Sequence, residues 1–328
     1  MHHKGGGYRV AASLDINRDE TMGAIAAFTG EIILWDVGSG LPIRILHGHR
    51  EMAIGGVKFL PDGRHLLSAS GDIFAPIDDF SLRLWDVQSG AEIRRFLGHT
   101  DRIWDLCLCP DCCFALSASH DGTLRRWNLQ TGDSEVLANV YPQAALAVAI
   151  SPDGQRLILG LGMGKSNNPE YGLRILDSAT GQEVHRLIGH TEAINDIAIS
   201  PDGRLAISAS LDRTLQLWEI ATGSHLATLS TVSDVPLRLA FSPDGRFVCE
   251  GATQGKALLW DIEKRCLIRQ FSGHLGNVVE VKLSGDGRRL YSACDEGSVH
   301  EWRIDPDLST LQQWIQGNRW VNGLDQAL

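Results

Sequence analysis

The sequence predicts an all-β chain built as a closed ring of seven similar sheets. Three observations predict it: a Trp-Asp-like pair recurring on a 42-residue period, a Pro-Asp-Gly turn recurring in phase with it, and short strand-like runs between the turns. The pairs are Trp35-Asp36, Trp85-Asp86, Trp127-Asn128, Leu176-Asp177, Trp218-Glu219, Trp260-Asp261 and Trp302-Arg303. Their spacings are 50, 42, 49, 42, 42 and 42 residues, so two units carry loop insertions on an otherwise regular repeat.

Residues 189–229 show the grammar of one unit. Gly189-His190 opens it, and Ala193–Ile199 reads as a first strand. Ser200-Pro201-Asp202-Gly203 is a turn, with Pro presetting φ at its second position and Gly accepting positive φ at its fourth. Leu205–Ser210 is the second strand, Leu211-Asp212-Arg213 a tight turn, and Thr214–Glu219 the third strand. Ala221-Thr222-Gly223 leads into the fourth, His225–Leu229. The first turn recurs as Pro61-Asp62-Gly63, Pro110-Asp111-Cys112, Ser151–Gly154, Ser242–Gly245 and Ser284–Gly287, and in degenerate form at Ile16–Asp19. One such antiparallel sheet cannot bury both faces. Packed radially between neighbours it does so, leaving only short edges exposed.

These features resemble the WD40-repeat β-propeller family over residues 8 to about 305. The resemblance implies a buried His–Ser–Asp–Trp tetrad in each complete blade. By position the tetrad is complete at His99, Ser117, Asp121 and Trp127, and again at His190, Ser208, Asp212 and Trp218. In the second unit His49, Ser68 and Trp85 match, with Asp79 as the acid ahead of Asp72. In the seventh, His274, Ser292 and Trp302 match and Glu296 stands for the acid. The first, fourth and sixth units lack the His and the Asp, so they are expected to rely on apolar packing and to be less rigid.

The expected organisation is an N-terminal tail over 1–7, a propeller over 8–306 and a C-terminal tail over 307–328. Strand one of the first unit reads as starting near Tyr8, which leaves the fourth strand of the last blade to come from elsewhere. Leu308–Ile315 is one candidate and a segment preceding this chain is another. The apolar residues Leu308, Leu311, Ile315, Val321, Leu324 and Leu328 are spaced at least as well for a helix as for a strand. The stretch Trp314–Val321 resembles the segment that ends bacterial signalling proteins in which a WD40 propeller follows a nucleotide-switched module. That would make such a module, in the same polypeptide, a partner.

Bulk properties narrow the function. The net charge of −10 disfavours a general nucleic-acid binder, which needs a basic footprint. No apolar run is long enough to cross a membrane as a helix. The start of the chain has no apolar stretch of the signal-peptide kind. Seven scattered cysteines, an odd number, read as free thiols in a reducing, cytoplasmic setting. No cofactor or metal is expected, and a monomer is.

Three motifs suggest chemistry, and each has a plainer explanation. His, Ser and Asp together suggest a hydrolase triad. They recur beside a Trp in several units, however, whereas an enzyme needs one site and a scaffold needs one network per blade. Gly162-Met163-Gly164-Lys165-Ser166 evokes a phosphate-binding loop, but Leu159 stands where the first Gly belongs and a strand follows instead of a helix. Cys109 and Cys112 form a Cys-x-x-Cys pair without the second pair that structural zinc requires, and they occupy the Ser and Gly positions of the recurring turn.

The resemblance implies that partners dock on the face made by the Gly-His turns and the loops joining strands two and three. Mapped by offset, that rim carries Arg102, Trp104 and His120 from the third unit, Asn195 and Leu211 from the fifth, Leu237 and Thr253 from the sixth, and Asn277 and Asp295 from the seventh. Trp and Arg are the types most enriched at binding hot spots, and no other unit has a Trp at the Trp104 position. The alternative is that Trp104 plugs the channel mouth. Both insertions project on this face, and the first, Gly71–Phe80, carries Phe74 among other apolar residues; it either contacts a partner or folds down over the channel. The expected function is a non-catalytic scaffold or sensor for protein partners in signalling. The competing reading is a hydrolase-type or ligand-binding propeller using the central channel, for which the sequence offers no ring of acids and no His cluster.

Overall fold

A computed structural model describes residues 11–27, 29–49, 56–70, 79–163, 170–230, 234–304 and 319–321. Its described secondary structure is entirely strand and turn. The first sheet, blade one, is β1 (Ala11–Ile16), β2 (Met22–Ala27), β3 (Ile32–Asp36) and β4 (Pro42–Leu46), paired antiparallel in chain order. Six more four-stranded sheets follow with the same order. They span residues 57–96, 103–139, 144–188, 194–230, 236–272 and 278–321 as blades two to seven.

The turn chemistry does what the residue types dictate. In blade five the Gly203 N–H closes onto the Ser200 carbonyl at 2.9 Å while Ser200 Oγ donates to Asp202 at 2.6 Å. Gly203 sits at φ +72°, where a side chain would strain the backbone. The glycines before His49, His99 and His190 have a different reason: a Cβ there would crowd the blade's tryptophan, standing 2.6 Å from the Trp85 ring at Gly48.

Seven hydrophobic clusters form among the described residues, each holding residues of two adjacent blades. Ala24 and Leu34 of blade one pack with Phe59 and Trp85 of blade two; Leu173 and Ile175 of blade four pack with Ile197 and Trp218 of blade five. This is the radial burial that a sheet with two apolar faces requires. Carboxylates near the axis add directed links. Asp15 accepts the Phe59 N–H at 2.7 Å, Asp105 the Val148 N–H at 2.9 Å and Asp196 the Leu239 N–H at 2.6 Å, each on the next blade.

Closure differs from expectation. Blade one has all four of its own strands. The fourth strand of blade seven is Arg319–Val321, paired antiparallel with Val299–Arg303; Leu308–Ile315 lies outside the described residues. That part of the C-terminal tail is strand, not helix, and it belongs to the propeller; 305–318 and 322–328 lie outside the described residues. At Arg319–Val321 three residues suffice to complete an open ladder of backbone groups. The ring then shuts by packing. Leu14, Ile16 and Trp35 of blade one join Tyr291, Ala293 and Val299 of blade seven. Across the same seam Lys282 reaches Asp15 at 2.6 Å, Ser13 Oγ donates to Glu280 at 3.1 Å, and Arg289 pairs with Glu20.

Candidate functional site

The tetrads come first because they hold the loops that frame the channel mouth. In blade three the Trp127 indole N–H donates to Ser117 Oγ at 2.8 Å, Ser117 Oγ lies 2.7 Å from His99 Nε2, and His99 Nδ1 lies 2.8 Å from Asp121. Blade five repeats this with Trp218, Ser208, His190 and Asp212 at 3.0, 2.8 and 2.7 Å. The chain of donors is consistent only one way. Serine accepts from Trp and donates to Nε2, and a neutral histidine donates from Nδ1 to the carboxylate. Burial pushes the His99 and His190 pKa values down, against the pull of their carboxylates. Burial alone would raise Asp121, but its bond from His99 and the neighbouring donors hold it well below the usual carboxylate range.

This is the connectivity of a hydrolase triad, but both serines are fully buried and their lone pairs face an indole N–H. A substrate carbonyl has no approach to either. The other two predicted tetrads depart at the acid. His49 bonds Ser68 at 2.6 Å and Trp85 donates to Ser68 at 2.8 Å, but Asp79 stands 3.6 Å from His49 Nδ1 because Arg83 takes its Oδ2 at 2.5 Å. Asp72 lies outside the described residues. In blade seven His274 and Trp302 both meet Ser292 at 2.7 Å, yet His274 Nδ1 bonds the Ser298 hydroxyl at 2.9 Å. Glu296 therefore does not take the acid's place: a serine two residues on reaches the ring first.

Blades one and four carry buried Ile25 and Leu159 at the serine position. Blade six departs from the expected apolar packing. Glu250 fills its serine position, fully buried, and accepts the Trp260 indole N–H at 2.7 Å.

At the channel mouth the chain forms a cavity of about 620 Å³. Six predicted rim residues line it together: Arg102, Trp104, His120, Asn195, Leu211 and Leu237. Asn277 and Asp295 do not. They are spent on each other, Asp295 accepting both the backbone and the side-chain N–H of Asn277 at 2.8 Å. Thr253 is likewise turned inward, accepting the Val235 N–H at 3.0 Å. Phe74 lies outside the described residues.

A single backbone device builds the mouth. In six blades the first strand slips register by one residue against the second. The extra residue is Ala12, Trp104, Leu146, Asn195, Leu237 or Val279, and each of the six lines the cavity. A bulge re-aims the side chain it carries, so the repeat projects one residue per blade into the mouth. Offset mapping names Trp104, Asn195 and Leu237; applied to every unit it yields Ala12, Leu146 and Val279 as well. Trp104 is half-buried, with the Arg102 guanidinium 5.1 Å above its ring. It walls the mouth, and open space remains beside it. Met163 and Leu211 stand at the rim, 58% and 40% exposed.

Below the mouth lies a charged tier that the sequence reading missed, since it looked for acids among the rim residues only. Asp105, Asp196 and Glu280 surround Arg238 and Lys58 around a second chamber of about 290 Å³. Burial, together with neighbouring Asp105 and Glu280, lifts the Asp196 pKa to about 7 despite Arg238. Arg238 donates to the carbonyls of Asn195 and Leu237 and separates the two chambers. The cysteines are all unpaired. Burial pushes Cys109 up to about 11 and Cys107 well above the ordinary thiol value, which keeps both as thiols at neutral pH.

Comparison with known proteins agrees with this architecture. The family described as the IFT122 first beta-propeller matches residues 11–303. Among curated proteins, the chain is 30% identical over 207 residues to nuclear distribution protein PAC1 of Arthroderma otae, covering 58% of this chain and 44% of that protein. It is 29% identical over 178 residues to pre-mRNA-processing factor 17 of Saccharomyces cerevisiae, covering 54% and 37%. It is 26% identical over 192 residues to periodic tryptophan protein 2 of Arabidopsis thaliana, covering 58% and 20%. The matched stretch thus spans less than half the length of these relatives.

Proposed function

Because this chain belongs to the WD40-repeat β-propeller family, we propose that it works as a non-catalytic docking module whose protein partners seat on the channel mouth. It is a scaffold-type propeller, and what it offers a partner is geometry. One observation carries the reading: six bulged first strands aim one side chain each into a single open cavity, and the third blade puts a Trp and an Arg there where the equivalent positions of the other five have neither. Trp and Arg dominate binding hot spots because each covers a large area with few torsions to fix. Met163 and Leu211 extend that surface outward, as a partner larger than the cavity would require. The hydroxyls and imidazoles of the tetrads are enclosed, and the carboxylates of the lower tier are engaged by amides and cations, which leaves reactive groups without access. Seven thiols outside any disulfide suit a reducing compartment such as the cytoplasm.

The test compares affinity capture by the wild-type chain with capture by a variant carrying Arg102→Ala and Trp104→Ala, with thermal unfolding as the control. A specific partner is expected to be lost while the unfolding temperature changes little. Equal recovery by both would move docking away from the mouth.

A further inference from the structure

The charges around the mouth are not those of the chain as a whole. The molecule carries a net charge of −10, yet among the described residues no carboxylate lines the upper cavity. Its polar lining is Arg102, His120, Asn195 and Arg238, set among apolar residues. Arg238 is held by two carbonyls and lies 3.9 Å from Glu280, so its charge is largely answered from below. His120 faces Asp101 at 3.3 Å. Arg102 is different. Asp101 takes its backbone N–H at 2.8 Å, but among the described residues no carboxylate pairs with its guanidinium, which lies over Trp104 with a buried Nε that finds no acceptor. A cation that no carboxylate pairs with among the described residues, beside an apolar, half-enclosed wall, is complementary to an anion attached to an apolar group.

We infer that the mouth takes an acidic-apolar peptide segment of a partner protein: a large apolar side chain enters the ring of Trp104, Leu146, Leu237 and Val279, and a neighbouring Asp or Glu carboxylate meets Arg102. This rests on the docking reading above and adds the chemistry of the occupant. A peptide fits better than a free small molecule because the apolar surface continues past the cavity onto Met163 and Leu211. A segment crossing the mouth covers that surface, whereas a ligand contained in the cavity leaves it bare. The pairing is favourable because the guanidinium is already partly desolvated by Trp104 and the apolar lining, and a charge-assisted bond there is shielded from bulk water.

A displayed library of random peptides selected on the full chain tests it. The enriched sequences are expected to join Leu, Ile, Phe or Trp to Asp or Glu within a few positions. Their affinity is expected to fall by roughly tenfold or more with Arg102→Gln, to be partly kept with Arg102→Lys, and to drop as salt is raised. Enrichment of basic or uncharged peptides that ignore Arg102→Gln but are lost with Leu237→Asp would overturn the acidic preference and leave the docking site standing. Enrichment indifferent to both Leu237→Asp and Trp104→Ala, in variants that unfold like the wild type, would overturn both.

Discussion

Trp260 donates its indole N–H to Glu250 at 2.7 Å, where blades two, three, five and seven present a serine hydroxyl to their tryptophans. Burial pushes this carboxyl up to about 8, with a smaller push from Asp234, and among the described residues its Oε1 finds no partner. Folding therefore takes up a proton that the unfolded chain releases above its ordinary glutamate value. Relative to a side chain that never ionises, stability falls as pH rises from about 4.5 toward 8, by at most about 1.4 kcal/mol per unit. Glu250→Gln keeps an oxygen for Trp260 and removes the proton. Its melting temperature minus that of the wild type is expected to increase steadily from pH 5 to pH 8. Parallel curves would mean the carboxyl is not protonated in the fold.

How far the sequence reaches can be judged from that pair. The seven sheets were legible because Trp and Pro-Asp-Gly positions repeat in phase, and the tetrads of blades three and five because all four residue types stand at fixed offsets. Glu250 was not, since a lone carboxyl inside an apolar strand gives no sign of whether it has a donor. Ser298 was missed for a related reason: an acid was sought for His274, and what the ring needs is any acceptor within reach. At the mouth, offsets located the residues but not the backbone bulges that aim them, because a one-residue slip leaves no mark in composition. Strand Arg319–Val321 is too short to have a period.

The serine at the centre of a tetrad carries two bonds at once. Ser117→Ala removes the acceptor of Trp127 Nε1 and the donor to His99 Nε2, leaving two buried polar atoms unpaired. A loss of about 2–3 kcal/mol in unfolding free energy is expected, with blade three as the site of earliest amide exchange. Ile25→Ala, at the same position of blade one, creates no such orphan, because an isoleucine gives Trp35 Nε1 no acceptor and that atom has no partner among the described residues; it should cost only packing. Similar exchange patterns for the two variants would remove the network from the account of blade rigidity.

His274 and His300 stack at 3.8 Å with their planes 9° apart, both buried. Burial, joined at His274 by the neighbouring His300, lowers their pKa values to about 3 and about 4. Both rings fold neutral and the unfolded chain binds protons below about 6.5. Stability is thus complete above that value and declines as pH falls toward 4. Blade five carries Gln216 where blade seven carries His300. His300→Gln should flatten the dependence of the urea midpoint between pH 6.5 and 4.5, and an unchanged slope would assign the acid sensitivity to other groups.

Arg238 stands between the two chambers, and its replacement tests how the lower tier is balanced. Three carboxyls, Asp105, Asp196 and Glu280, share it with Lys58, and Asp196 is already lifted to about 7. Arg238→Met keeps an unbranched apolar stem and takes away the charge and the bonds to the Asn195 and Leu237 carbonyls. With the cation gone the folded-state values of Asp105 and Asp196, which Arg238 holds down, rise further. The fold then gains stability from protonation at low pH and loses it as pH climbs past the ordinary aspartate range. The variant is expected to be destabilised by roughly 3–5 kcal/mol at pH 8 and by clearly less at pH 5.5. A deficit independent of pH would show that Arg238 acts through its carbonyl bonds and packing, since those do not titrate and the carboxyls do.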